Sequence, residues 1–163
     1  SKRDKKLKLN TVFIQITVNK EKGGMNEYSF SLPYPPSNNR YYRHSRGFHY
    51  ISKVGKEYRE QVRDIIELLN LNINLSCRLA IAIYAAPPDN RIRDLDNIPK
   101  CLFDSLTYAG FWKDDGQIDS IKIVRCRKVK GGRLFIKIRE RGDLLPDIDE
   151  YATNMWGDNE KRN

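Results

Sequence analysis

The chain has 163 residues, 39% of them hydrophobic, which suits one compact core with spare length at its ends. No apolar run approaches the roughly 20 residues that span a bilayer, and the lysine-rich start lacks the apolar block of a signal peptide, so a soluble cytoplasmic protein with no membrane contact is expected. The net charge of +9, from 30 Lys+Arg against 21 Asp+Glu, suits a polyanionic partner, although a basic protein without one has the same balance.

Val12, Ile14, Ile16 and Val18 alternate with other residues, which predicts a strand before Gly23-Gly24. It is either an added edge strand or an extension outside the domain, which begins near Met25. Tyr28 to Leu32 predicts a short strand, stopped by Pro33, Pro35 and Pro36. Residues 37–50 predict a loop rich in Asn, Arg and Tyr, after which Ser52 is placed as the cap of a helix. Val54, Tyr58, Val62, Ile65, Ile66 and Leu69 recur along that helix at helical spacing. Leu79, Ile81 and Ile83 alternate through a second strand that ends at Pro87-Pro88.

The string RDLDN, residues 93–97, opens a second helix with Ile98, Leu102, Leu106 and Ala109 on one face and Gly110 past its end. With Asp96 as N-cap, Pro99 falls in the first turn, where its missing N–H breaks no helical bond. Residues 118–129 and 133–139 predict two strands joined across Gly131-Gly132 as a hairpin. The tail from Asp143 is acidic and weakly patterned. The expected fold is one α+β domain: a mixed β-sheet, helices packed on one side, and a C-terminal β-hairpin. The boundaries are residues 1–24 as an extension, 25–142 as the domain, and 143–163 as the tail.

Cys77, Cys101 and Cys126 are odd in number and widely spaced, and His44 and His49 lie in one loop far from them. That pattern supports neither a disulfide framework nor a zinc site. A metal would have to be held by oxygen. Asp94 and Asp96 flank Leu95, and in an extended segment residues two apart face the same way. Adjacent carboxylates repel, and a divalent cation relieves the repulsion. Mg²⁺ suits such a pair, because it takes oxygen ligands and needs only one or two carboxylates plus substrate phosphate.

Asp114 and Asp115 could close on the same site, but each acid has an ordinary alternative. Asp96 could serve as a cap alone, Asp114-Asp115-Gly116 as a plain turn, and Asp94 as a partner of Arg91 or Arg93. Lys100 could stabilise phosphate charge or pair with Asp104 along the helix. In the loop and the helix after it, Arg40, Arg43, Arg46, Lys53, Lys56, Arg59 and Arg63 are interleaved with Tyr41, Tyr42, Phe48 and Tyr50. Arginine grips phosphate and aromatic faces stack on unpaired bases. The alternative is a solvated loop whose tyrosines pack on the sheet.

Taken together, LPYPPSNNRYYRH at 32–44, RDLDN at 93–97 with Lys100 and Phe103-Asp104, AGFWKDDGQI at 109–118 and KGGRL at 130–134 resemble the RusA family of crossover junction endodeoxyribonucleases. The resemblance covers residues 25–140. It implies a nuclease domain that acts as a homodimer on four-way branched DNA with Mg²⁺, each subunit nicking one strand. It further implies that Asp94, Asp96 and Asp115 hold the metal and are catalytic, together with Lys100. The expected DNA contacts are Asn38, Asn39, Arg40, Tyr41, Arg43, Arg46, Arg93 and Asn97, and no small-molecule cofactor is expected. The competing readings are a junction-binding module without catalysis, a metal nuclease for RNA or flaps, and a structural phage protein.

Overall fold

The computed structural model describes residues 25–157, so the expected strand at residues 12–18 lies outside the described residues. The elements in order are β1 (Glu27–Leu32), α1 (Asn38–Tyr41), β2 (Tyr42–Ser45), β3 (Phe48–Ile51), α2 (Lys53–Leu68), β4 (Arg78–Ala86), α3 (Asn97–Tyr108), a 3₁₀ turn (Asp115–Gln117), β5 (Ile118–Arg125), β6 (Arg133–Arg141) and α4 (Ile148–Gly157). The main sheet has four strands in the order β1-β6-β4-β5. β4 runs parallel to β5 and antiparallel to β6, so the sheet is mixed as expected.

Alternation along the strands decides which face is covered. Leu79, Ile81 and Ile83 of β4 and Leu134, Ile136 and Ile138 of β6 are buried. They form one core with Tyr58, Val62 and Ile66 of α2 and Ile98, Leu102 and Leu106 of α3. The intervening positions Lys122, Lys137 and Arg139 are exposed, so the helices sit on one side of the sheet. No helix among the described residues is long and apolar enough to cross a membrane.

The C-terminal hairpin is corrected by the strand order. β5 and β6 are not neighbours, because β4 lies between them. The connection after β5 crosses the end of β4, with the Cys126 N–H bonded to the Ala85 carbonyl and the Val129 N–H to the Pro87 carbonyl. Gly131 and Gly132 do make a left-handed turn, at φ 82° and 70°. A tight turn does not name the partner strand, however. β6 is buried along its inward positions and gains ladder bonds on both sides between β1 and β4.

Two further elements differ from the sequence expectation. Residues 37–50 are not a plain loop but the short helix α1 followed by a β2–β3 hairpin, whose tip Arg46-Gly47 has φ of 49° and 80°. Two left-handed residues in a two-residue turn match the right-handed twist of paired strands. The acidic tail contains α4, with Asp149 and Glu150 in its first turn, where negative charge complements the helix dipole.

Candidate active site

The segment between β4 and α3 carries the RDLDN string. Asp94 and Asp96 are exposed, while Leu95 between them packs against the core. The backbone there is not extended. The Asn97 N–H bonds to the Asp94 carbonyl at 3.3 Å and the Ile98 N–H to the Leu95 carbonyl at 3.2 Å, a turn that leads directly into α3. Asp96 occupies the N-cap position, but with helical angles and no side-chain capping bond. Its carboxylate is therefore not spent on the helix. Arg93 does not neutralise Asp94 either. It grips Asp89 with both terminal guanidinium nitrogens, at 2.6 and 3.1 Å, and lies over the Tyr34 ring at 5.9 Å. That hydrogen bond, with a second from the Arg91 backbone, holds the Asp89 carboxyl down at about 2.

α3 presents Lys100 and Asp104 on consecutive turns, and no ion pair joins them among the described residues. Instead the Lys100 ammonium sits 4.8 Å from the centre of the Tyr42 ring. Asp104 accepts a hydrogen bond from the Tyr41 phenol. The Tyr41 and Tyr42 rings meet edge to face at 4.6 Å, so the tyrosine pair ties the start of the hairpin to α3. Gly55 permits this approach, since a Cβ there would meet the Tyr41 carbonyl oxygen at 2.6 Å.

Tyr41 as a DNA contact is corrected: it is fully buried, with its hydroxyl engaged by Asp104. Its neighbours are differently placed. Asn39, Arg40, Arg43 and Arg46 are exposed, and Asn38 is half-buried with its Oδ1 lacking a hydrogen-bond partner. Pairing of Arg43 with Tyr50 and Ser45 with Phe48 puts these four side chains on one face of the hairpin. Phe48 is 74% exposed and Tyr50 51%, which makes that face both cationic and aromatic.

The Asp114-Asp115 turn is set by Phe111, Trp112 and Gln117, to which the sequence reading gave no packing or capping role. Phe111 and Trp112 are fully buried, and the Trp112 indole donates to the Thr107 hydroxyl at 2.7 Å. Gln117 is buried and makes a capping box with Asp114. Its carboxamide also donates to the Leu75 and Cys77 carbonyls at 2.8 and 2.9 Å. The signal was available, because a capping residue followed three positions later by Gln marks a helix start. Burial pushes the Asp115 carboxyl above its ordinary range, and the charge of Asp114, then that of Asp104, pushes the same way.

The acids thus form two groups. Asp94 and Asp96 open α3, while Asp115 lies in the turn after it, with Asp114 and Asp104 as its charged neighbours and its charge felt by the Tyr42 phenol. Among the described residues, no three His, Cys, Asp or Glu side chains converge to hold one metal ion. The Asp94 and Asp96 carboxylates have no hydrogen-bond or ion-pair partner among the described residues. Free, exposed carboxylates of this kind are donors suited to a hard cation.

Residues 33–139 match the family model described as endodeoxyribonuclease RusA. The crossover junction endodeoxyribonuclease rusA of Enterobacteria phage HK97 is 54% identical over 116 residues, which is 71% of this chain and 97% of that protein. The crossover junction endodeoxyribonuclease RusA of Escherichia coli strain K12 is 50% identical over 119 residues, 73% of this chain and 99% of its own. That of Shigella sonnei strain Ss046 shows the same identity and coverage. The matched stretch contains every element from α1 to β5 and nearly all of β6, including both groups of aspartates, and so the chain belongs to the endodeoxyribonuclease RusA family.

Proposed function

We propose that this chain is a Mg²⁺-dependent endonuclease of the cytoplasm that resolves Holliday junctions by paired nicking of two strands. The observation that carries the reading is the pair of unpartnered carboxylates, Asp94 and Asp96, at the head of α3 in a family of endodeoxyribonucleases. These two would hold the ion, with Asp115 as a third carboxylate. Bound there, the ion would polarise the scissile phosphate and acidify the attacking water.

The chain's own residues do the rest. Lys100, held over Tyr42, offsets negative charge that develops on the phosphate. Asn39, Arg40, Arg43 and Arg46 hold the DNA backbone, with Asn38 and Asn97 beside them. Arg93 supports the turn through Asp89. A two-fold homodimer would present two equivalent sites to a four-way junction of matching symmetry.

The test is cleavage of a synthetic four-way junction against a linear duplex, with and without Mg²⁺. Asp94→Asn, Asp96→Asn and Asp115→Asn should each abolish nicking yet leave junction binding intact or tighter, because each removes a ligand and one negative charge near the phosphates. Near-normal turnover in any of the three at saturating Mg²⁺ would remove that residue from the site. Equal cutting of linear duplex would remove the junction specificity.

A further inference from the structure

A cavity of about 160 Å³ lies beside Asp94, between the turn before α1 and the start of α3. Phosphate hydrolysis gives its inner walls no task. Tyr34, Pro35, Ile92 and Ile98 make them apolar, and Asn97 and Ser37 supply the polar edge. The cavity is smaller than the roughly 300–1,000 Å³ that drug-sized ligands fill, and suits a single planar ring system. It shares Tyr34, Ile92 and Arg93 with a wider cleft of about 470 Å³ that reaches Arg40 and Arg91.

Two observations point to an occupant. Ile92 is 94% exposed at the lip, an apolar side chain that the core does not cover. The Asn97 carboxamide and the Ser37 hydroxyl hydrogen-bond to no other described residue, so a donor-acceptor edge faces the cavity without a partner.

We propose that this cavity is a nucleobase pocket, which takes one unstacked base of the strand whose phosphate lies at Asp94 and selects it through the Asn97 amide. The inference rests on the endonuclease reading and goes on to name a subsite of it. The Asp94 carboxylate disfavours a phosphate inside the cavity. Arg40 and Arg91 in the wider cleft suit the flanking backbone. A base is neutral and planar, with apolar faces for Ile92 and the prolines. Its edge carries donors and acceptors that an asparagine amide can match. Unstacking costs least where a base is already unpaired, which a branch point supplies. The pocket therefore couples recognition of branched DNA to a preference for one base next to the cut.

The test places 2-aminopurine, and separately an abasic nucleotide, at each position flanking the cut in a four-way junction. Binding by the full chain is measured in EDTA and cleavage in Mg²⁺. On binding, one 2-aminopurine position should show the fluorescence change of an unstacked base while its neighbours do not. An abasic nucleotide at that position should weaken binding about tenfold, the scale of one lost base stack. Ile92→Ser, at a side chain too exposed to matter for folding, should weaken binding of the intact junction by a similar factor and leave the abasic junction unaffected. Asn97→Asp should change which base is preferred at that position alone.

A flat abasic scan, or an Ile92→Ser effect equal on intact and abasic junctions, would overturn the pocket while leaving the endonuclease reading in place. A chain that neither binds nor cuts four-way DNA would overturn both.

Discussion

Replacing Gln117 by leucine should loosen the Asp114-Asp115 turn at a cost that can be worked out bond by bond. The carboxamide oxygen accepts from the Lys113 and Asp114 N–H groups at 3.1 and 2.9 Å, and the amide donates to the Leu75 and Cys77 carbonyls at 2.8 and 2.9 Å. Four lost bonds would overstate the damage, because the Lys113 N–H also bonds to the Leu75 carbonyl at 3.0 Å, so those two groups keep each other. The Asp114 N–H and the Cys77 carbonyl lose their partner. At about 1–3 kcal/mol for each buried group left unsatisfied, and with Asp114 open enough to regain water, the expected loss is about 2 kcal/mol. Leucine has nearly the volume of glutamine, so a cavity adds little.

Urea unfolding should show a lower midpoint at unchanged slope. Single-turnover cleavage, measured where the variant is still folded, should fall as the turn that carries Asp115 loses its capping box. Gln117→Glu keeps the acceptor but puts a charge against two carbonyls and two aspartates, so it should be no better than leucine. A stability change within about 0.5 kcal/mol for Gln117→Leu, the range of an ordinary surface substitution, would refute the reasoning. The turn would then rest on Trp112 and its pairing with Leu75 alone.

Lys100→Ala should slow single-turnover cleavage about a hundredfold, as for loss of one preorganised donor, and barely move the melting temperature, because its ammonium meets the Tyr42 ring and not Asp104. Tyr42→Phe keeps that ring and should keep the rate, whereas Tyr42→Leu should lose part of it; a destabilised Lys100→Ala with wild-type cleavage would defeat the catalytic role. Charge reversal at Arg40, Arg43 or Arg46 should weaken junction binding and flatten its salt dependence by a slope of roughly one per lost phosphate contact. Anisotropy titrations across salt would show this, and unchanged slopes in all three would move the DNA surface elsewhere. Phe48→Ser should weaken binding with the slope unaltered, since the ring offers stacking and not charge. Asp89 titrates at about 2 when folded against 3.8 unfolded, so its stabilisation is present above 3.8 and is lost as pH falls through about 2. Asp89→Asn should remove that part of the acid limb in a stability-versus-pH series, and an unchanged limb would mean that the Arg93 grip does not persist in solution.

The sequence is legible where one residue's pattern answers to one physical demand. Period-two alternation placed β4, and the spacing of Ile98, Leu102 and Leu106 placed α3, with Gly110 left-handed past its end at φ 75°. Ser52 was readable as a cap, and its hydroxyl accepts the Gly55 N–H at 3.0 Å while donating to the Arg40 carbonyl. Strand partnership was not readable in the same way. The Gly131-Gly132 turn is the same local event whether β6 folds back on β5 or crosses to β4, and the choice is made by which strand buries β6 on both edges. The hairpin at 42–51 was obscured for a related reason: its strands are four residues each and mostly exposed, so no apolar alternation announces them.

The tyrosine pair shows why residue type alone misassigns a site. Tyr41 and Tyr42 are adjacent in an Arg-rich string, and both invite a role in stacking on bases. The chain changes from helix to strand between them, and their environments part accordingly. Tyr41 goes fully into the core and Tyr42 remains half-exposed beneath Lys100. Burial pushes both phenols up, and the Tyr42 value of about 12 keeps it neutral at any working pH. The ring of Tyr42 and the hydroxyl of Tyr41 therefore act on opposite charges of the same helix, a cation at Lys100 and a carboxylate at Asp104. Asp104, whose pairing was one of the two roles the sequence left open for Lys100, is instead drawn off by Tyr41. That division leaves the Lys100 ammonium without a counter-ion among the described residues, which is the condition a phosphate-facing lysine requires.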